Sequence, residues 1–130
     1  MKNISLALVA LALFCAYSQA QTSVSITQVT STGGNAPWTV NGKGTCKLET
    51  GGTWIGASAS LLAPDGMTVN TVFLNMPIPT PGGAAVNWTG TSQDLTKKGN
   101  YTFRIYIGYK DAAGMHQVAS ATQTVTVPAP

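Results

Sequence analysis

The sequence predicts an all-β domain of seven antiparallel strands packed as two sheets, preceded by a cleaved signal peptide. Three observations lead to this fold class. Apolar and polar residues alternate with a period of two in one segment after another, which is typical of half-buried strands. No window repeats apolar residues at helical spacing. Gly- and Pro-rich turn signals recur about every ten residues, a spacing that favours a two-sheet sandwich, with a small barrel as the alternative.

Residues 1–20 have the pattern of a signal peptide. Lys2 supplies a positive start, Ile4–Phe14 is an apolar run, and Ser18-Gln19-Ala20 ends the segment with small residues that a signal peptidase accepts. A membrane-spanning helix needs about 20 apolar residues, and this run is shorter. A phenylalanine directly before Cys15 argues against a lipoprotein signal.

Cleavage between Ala20 and Gln21 would release one domain, residues 21–130, into the periplasm or the extracellular space. No later segment is apolar for long enough to span a membrane. Six basic and four acidic residues remain in this domain, and they are scattered. Nucleic-acid binding needs a basic stripe, so a nucleic-acid partner is not expected.

The first strand is predicted over Ser23–Thr30, with Val24 and Ile26 on one face. Val29 breaks this parity, which indicates a β-bulge near Thr27-Gln28.

The second strand is predicted over Lys43–Glu49, with Cys46 and Leu48 facing inward. Trp38 and Val40 share the inward parity just before it. Cys46 is the single cysteine after Ala20, so it is either a buried small side chain or an intermolecular link.

The third strand is predicted over Trp54–Leu62, and its inward side chains are expected to be Ile55, Ala57, Ala59 and Leu61. Pro64-Asp65-Gly66 then makes a tight turn, because proline presets φ and glycine supplies a positive φ.

The fourth strand is predicted over Thr68–Met76, but its parity is ambiguous. Val72, Leu74 and Met76 compete with Val69 and Phe73 for the inner face. The proline-rich segment 77–83 must be a surface connection, because proline cannot continue a central strand.

The fifth strand is predicted over Ala84–Gly90, with Val86 and Trp88 inward. The sixth, Asn100–Lys110, shows the clearest alternation, and the seventh is predicted over His116–Val127. The inward residues of the sixth strand are Tyr101, Phe103, Ile105, Ile107 and Tyr109.

The segment Leu95-Thr-Lys-Lys-Gly-Asn-Tyr-Thr-Phe103 resembles the E–F corner of immunoglobulin-like and fibronectin type III-like domains. The resemblance implies that the Tyr101 hydroxyl bonds back to upstream backbone, that Gly99 permits the sharp turn, and that Leu95 fills the core below it. It also implies that Cys46 packs against Phe103, in place of the disulfide of true immunoglobulin domains.

Few residues after Ala20 offer chemistry. His116 is the single histidine and lies near the start of the seventh strand. No calcium-type acidic run, helix-opening glycine loop or spaced set of zinc ligands occurs, so no metal and no cofactor is expected. An enzyme would have to use His116 with Asp111, Asp94 or Cys46.

Two interpretations of Trp54 remain open. On strict alternation Trp54 faces outward from the third strand, and Arg104 and Tyr106 face outward from the sixth, so the three could form a ligand surface. Alternatively, Trp54 tucks into the edge of the core.

The sequence thus predicts an exported, non-catalytic module that binds an extracellular protein or contributes to a surface or matrix. The alternatives are a small carbohydrate-binding module using exposed Trp54 and Tyr106, and an enzyme using His116. Asn87 and Asn100 begin Asn-x-Thr sequons, which matter only in a glycosylating host.

Overall fold

A computed structural model describes residues 21–130, so the predicted signal peptide lies outside the described residues. This part of the chain contains seven strands and no helix, which confirms the all-β prediction. No helix able to cross a membrane occurs among residues 21–130. The strands are β1 (Ser23–Ser31), β2 (Val40–Lys47), β3 (Thr53–Leu62), β4 (Val69–Asn75), β5 (Val86–Ser92), β6 (Gly99–Lys110) and β7 (His116–Val127).

The strands form one continuous antiparallel sheet rather than two separate ones. Their order is β1-β2-β5-β4-β3-β6-β7. Residues 69–71 of β4 pair with β3, and residues 72–75 pair with β5, so β4 joins what the sequence predicts as two sheets. The sheet curls until β1 lies beside β7, and the Ala129 amide donates to the Thr32 carbonyl at 3.1 Å. The result is a nearly closed, barrel-like arrangement.

Two strand boundaries differ from the prediction for one reason. β2 begins at Val40 instead of Lys43, and β5 ends at Ser92 instead of Gly90. Glycines usually weaken or interrupt strands, so Gly42 and Gly90 look like boundary residues in the sequence, whereas Gly44 lies within the predicted second strand. In the structure all three glycines lie within the ladder that joins β2 and β5. Large core rings pack where their side chains would be.

The core consists of the residues that the alternation places inward. Trp38 and Trp88 are buried, and the inner face of β6 is buried from Tyr101 to Ile107. The rings of Trp88 and Phe103 stack with centroids 5.7 Å apart and an interplanar angle of 11°. The structure resolves the ambiguous parity of β4. Val72 faces the core and is buried, whereas Phe73 faces outward and is 66% exposed.

Phe103 does not face Cys46, which corrects the pairing implied by the immunoglobulin resemblance. A Cβ built on Gly42 would lie 2.7 Å from the Phe103 ring, and one on Gly90 would lie 3.2 Å from it. Gly42 precedes Cys46 by four residues, which is about 13 Å along a strand. The ring therefore packs on two glycine backbones, while Cys46 is buried elsewhere in the core.

The predicted bulge in β1 is present between Ile26 and Gln28. Before it, the Ser25 carbonyl accepts a hydrogen bond of 3.1 Å from Trp88 Nε1. A Cβ on Gly44 would collide with this same carbonyl oxygen. Gly44 therefore lets β1 approach closely enough to satisfy the buried indole.

The chain entering β6 has the contacts expected of the E–F corner. The Tyr101 hydroxyl donates to the Lys97 carbonyl at 2.7 Å. Leu95 is buried and exchanges two backbone hydrogen bonds with Trp38. Gly99 has φ of +140°, and a Cβ there would lie 2.6 Å from Pro64. Each of the three predicted structural residues thus has a distinct packing or backbone role.

Asp65 organises the turn between β3 and β4. Its carboxylate accepts hydrogen bonds from the Thr68 hydroxyl at 2.6 Å and from the Thr68 and Met67 amides at 2.8 Å. The Thr68 hydroxyl first, then these two amides, lower the pKa of Asp65 from 3.8 to about 2. The turn is therefore most stable when Asp65 is ionised.

Replacing Asp65 with asparagine should make the free energy of unfolding depend less strongly on pH in the acidic range. Because the folded-state pKa is lowered, the ionised carboxylate stabilises the fold above pH 3.8, and this stabilisation disappears as the pH falls towards about 2. Urea unfolding between pH 5 and pH 2 measures the slope. Asp94→Asn, which removes a charge from a neighbouring loop, is the control. An unchanged slope in Asp65→Asn would contradict the role given to the turn.

Candidate functional site

A bulge in β3 decides which of its side chains face solvent. Trp54 pairs with Tyr109 and Gly56 pairs with Gly108, so Ile55 is the extra residue between them. Trp54 consequently packs against the core, and Ile55, predicted to face inward, is 52% exposed. The remaining inward residues, from Ala57 to Leu61, keep the predicted parity because they follow the bulge.

The three predicted ligand residues are therefore divided between the two sides of the sheet. Arg104 and Tyr106 alternate with the buried Ile105 and Ile107, which places them on the outer side. Trp54 lies on the core side, which agrees with the interpretation that it tucks into the core edge. A sugar ring cannot stack on Trp54 and Tyr106 together.

The outer side of β3, β6 and β7 instead carries a mixed patch that we call the β6 face: Ile55, Arg104, Tyr106 and Val118. Tyr106 pairs with Ser58 and Ser120 on its two neighbouring strands. Val118 is 69% exposed and pairs with Gly108. The Cβ of Ile55 lies 3.8 Å from the point where a Gly108 side chain would begin. Gly108 therefore places no side chain between Ile55 and Val118.

Arg104 brings a positive charge to the β6 face. It is half-buried between its cross-strand partners Ser60 and Thr122. Its Nε is buried and has no hydrogen-bond partner among residues 21–130. A buried donor without a partner carries a desolvation cost. The buried Nε is out of reach of a ligand on this face, so a ligand can contact only the exposed part of the half-buried side chain.

A second apolar feature lies where β3 and β4 diverge. The two strands pair only over residues 60–62 and 69–71, and the gap beyond forms an open groove of about 220 Å³. Its lining is Trp54, Ala57, Leu74, Met76 and Ile78. The groove explains why Trp54 is only half-buried.

His116 lies exposed at the first position of β7, opposite Lys110. The nearby Asp111 accepts backbone hydrogen bonds from Met115 and Ala113 and a third from the Gln117 amide. The bond from Met115 is the main reason that the pKa of Asp111 is lowered. Within residues 21–130 no three His, Cys, Asp or Glu side chains are grouped for a metal ion.

Cys46 is a free thiol with 1% of its surface exposed, and burial raises its pKa. We expect 5,5′-dithiobis(2-nitrobenzoate) to label it more than about a hundredfold more slowly in native protein than in 6 M guanidinium, because the core must first open. Absorbance at 412 nm follows the reaction. Rapid stoichiometric labelling of the native protein would show an accessible thiol and so contradict the packing described.

Sequence periodicity does not identify Ile55, Phe73 and Val118 as candidate ligand contacts. Strict alternation places Ile55 in the core, because periodicity alone does not reveal a bulge. Phe73 lies in a strand whose two faces are both apolar in sequence, so its outward direction depends on the register of β4 against β5.

Both sequons are accessible, because Asn87 and Asn100 are exposed.

No protein-family model, no curated protein sequence and no solved structure matches this chain.

Proposed function

We propose that this protein is an exported, non-catalytic module that binds a partner protein through the β6 face. The observation that carries the proposal is the composition of that face. Tyr106 and Arg104 belong to the residue types enriched in the energetic centres of interfaces, and Ile55 and Val118 supply exposed apolar area beside them. Serine and threonine from β3 and β7 surround the patch, as in the polar rim of an interface.

The proposed fold family is the immunoglobulin-like or fibronectin type III-like sandwich. Two features support it. The sheet order contains the runs β1-β2-β5-β4 and β3-β6-β7, which correspond to the A-B-E-D and C-F-G sheets of that fold. The hydrogen bond from Tyr101 to the Lys97 carbonyl corresponds to its tyrosine corner. Such domains serve many functions, so the fold itself does not identify the partner.

Site-specific crosslinking tests the binding face. A photoreactive amino acid is placed at position 55 or 118, and the protein is exposed to the extracellular fraction of the source cell. Position 67, whose methionine is 85% exposed in a turn, is the control. We expect one protein to be captured from the β6 face and not from the control position. Tyr106→Ala or Arg104→Ala should weaken its binding by about tenfold or more. Equal capture from all three positions would refute the proposal.

Export is tested separately, because it rests on residues 1–20 alone. The full-length chain is expressed in a bacterium, and the N-terminus of the protein outside the cytoplasm is determined. We expect the exported protein to begin at Gln21. Retention of the intact chain in the cytoplasm would contradict export and leave the crosslinking result unaffected.

A further inference from the structure

The side of the sheet formed by β1, β2, β5 and β4 carries a regular array of exposed polar side chains. Cross-strand pairing arranges seven of them and one phenylalanine in two rows of four, which we call the polar grid. The first row is Thr30, Asn41, Thr91 and Phe73, and the second is Gln28, Lys43, Thr89 and Asn75. Neighbouring strands are about 4.8 Å apart, so each row spans about 14 Å.

The centre of the polar grid is a shallow groove of about 210 Å³. Two grid residues from each of β1, β2 and β5 line it, and its floor is the backbone of Gly42 and Gly90. The rings of Phe103 and Trp88 support this floor from the core side, because Phe103 packs on both glycines. The groove is therefore a rigid feature of the sheet and does not depend on a loop.

Phe73 ends the first row and is 66% exposed. A single exposed aromatic is ordinary on a protein surface. Phe73 differs in its neighbours, because its cross-strand partner Thr91 donates a 2.9 Å hydrogen bond to Asn41 Oδ1. This bond holds the amide of the exposed Asn41 in place. An apolar ring thus stands beside a hydrogen-bonded pair of polar side chains, Thr91 and Asn41.

From this arrangement we infer that the polar grid binds a neutral polysaccharide chain. A sugar presents a C–H face that stacks on an aromatic ring and hydroxyl groups that both donate and accept hydrogen bonds. Hydroxyl and amide side chains match those groups in both roles. The grid contains no carboxylate and one cation, Lys43, so it lacks the basic stripe that nucleic acid or a strongly anionic polymer needs. The inference is independent of the protein-binding role given to the β6 face.

Affinity electrophoresis of protein expressed from the full-length chain tests the inference. Native gels contain hydroxyethylcellulose, xylan, galactomannan or dextran as neutral probes, and alginate as the anionic probe. We expect at least one neutral polysaccharide to retard the protein. Phe73→Ala should weaken binding by about tenfold or more, and Phe73→Trp should restore it. Met67→Ala, which removes an even more exposed apolar side chain from a turn, should bind as the unmodified protein does.

Four results would overturn the inference. The first is that no neutral probe retards the protein, and the second is that Phe73→Ala is retarded as strongly as the unmodified protein. The third is that alginate alone retards the protein and that added salt abolishes the effect. The fourth is that the protein is a dimer that Phe73→Ala dissociates. Tyr106→Ala separates the two proposals. It should leave polysaccharide binding unchanged while reducing partner binding through the β6 face, and loss of polysaccharide binding in this variant would move the sugar site to the other side of the molecule.

Discussion

Replacing Phe103 with alanine is expected to lower the free energy of unfolding by about 3–5 kcal/mol. The side chain is fully buried, stacks on Trp88, and occupies the space over Gly42 and Gly90. Because no side chain extends from either glycine, the site cannot be refilled from β2 or β5, and the cavity should persist. A domain of this size has about 5–15 kcal/mol in total, so the variant would be close to unfolding.

Urea unfolding followed by tryptophan fluorescence measures this loss. Phe73→Ala is the matched control, since it deletes the same side chain from an exposed position, and its change should stay within about 0.5 kcal/mol. A loss in Phe103→Ala that is no larger than in Phe73→Ala would mean that the core does not depend on this ring.

Replacing Gly44 with alanine is expected to cost about 3 kcal/mol or more, although it adds a single methyl group. The added Cβ would collide with the Ser25 carbonyl oxygen and lie 2.8 Å from Trp88 Cζ2. Either β1 moves away, or the Trp88 ring shifts and loses its hydrogen bond to Ser25. Both adjustments disturb a buried aromatic residue.

Gly56→Ala is the control for this substitution. It also lies within a strand, but no atom is within 4 Å of the added Cβ. Reduced freedom of the unfolded chain can even stabilise such a variant, by about 0.4–1 kcal/mol. Urea midpoints compare the two variants, and hydrogen exchange shows whether the β1 amides lose protection in Gly44→Ala. Equal stability of the two variants would contradict the close approach of β1 at Ser25.

The sequence predicts most of this fold because one side of most strands is buried. β6 alternates without interruption, so its inward residues from Tyr101 to Ile107 are identified correctly. The β1 bulge is also predictable, because Val29 breaks the parity of Val24 and Ile26. The start of β2 is predicted too late at Lys43, because the place of Gly42 in the ladder depends on Phe103, far away in sequence.

The candidate sites are less predictable, because they depend on features without a periodic signal. The bulge at Ile55 exchanges the sides of Trp54 and Ile55, so the expected Trp54–Tyr106 pair does not form. The polar grid depends on the pairing of four strands that are not all neighbours in sequence. Threonine and asparagine alternating with buried residues predict only a solvated face. Register is what turns them into two aligned rows.

The adjacency of β1 and β7 has a mechanical consequence. Both strands run in the same direction, so a pull applied at Ser23 and Val127 loads the molecule along its strands. The force then shears the β1–β2 and β6–β7 ladders, and the latter joins twelve residue pairs. Hydrogen bonds perpendicular to the strands share such a load, whereas peeling would break them one after another. The domain is therefore built to resist extension when it links two anchored points.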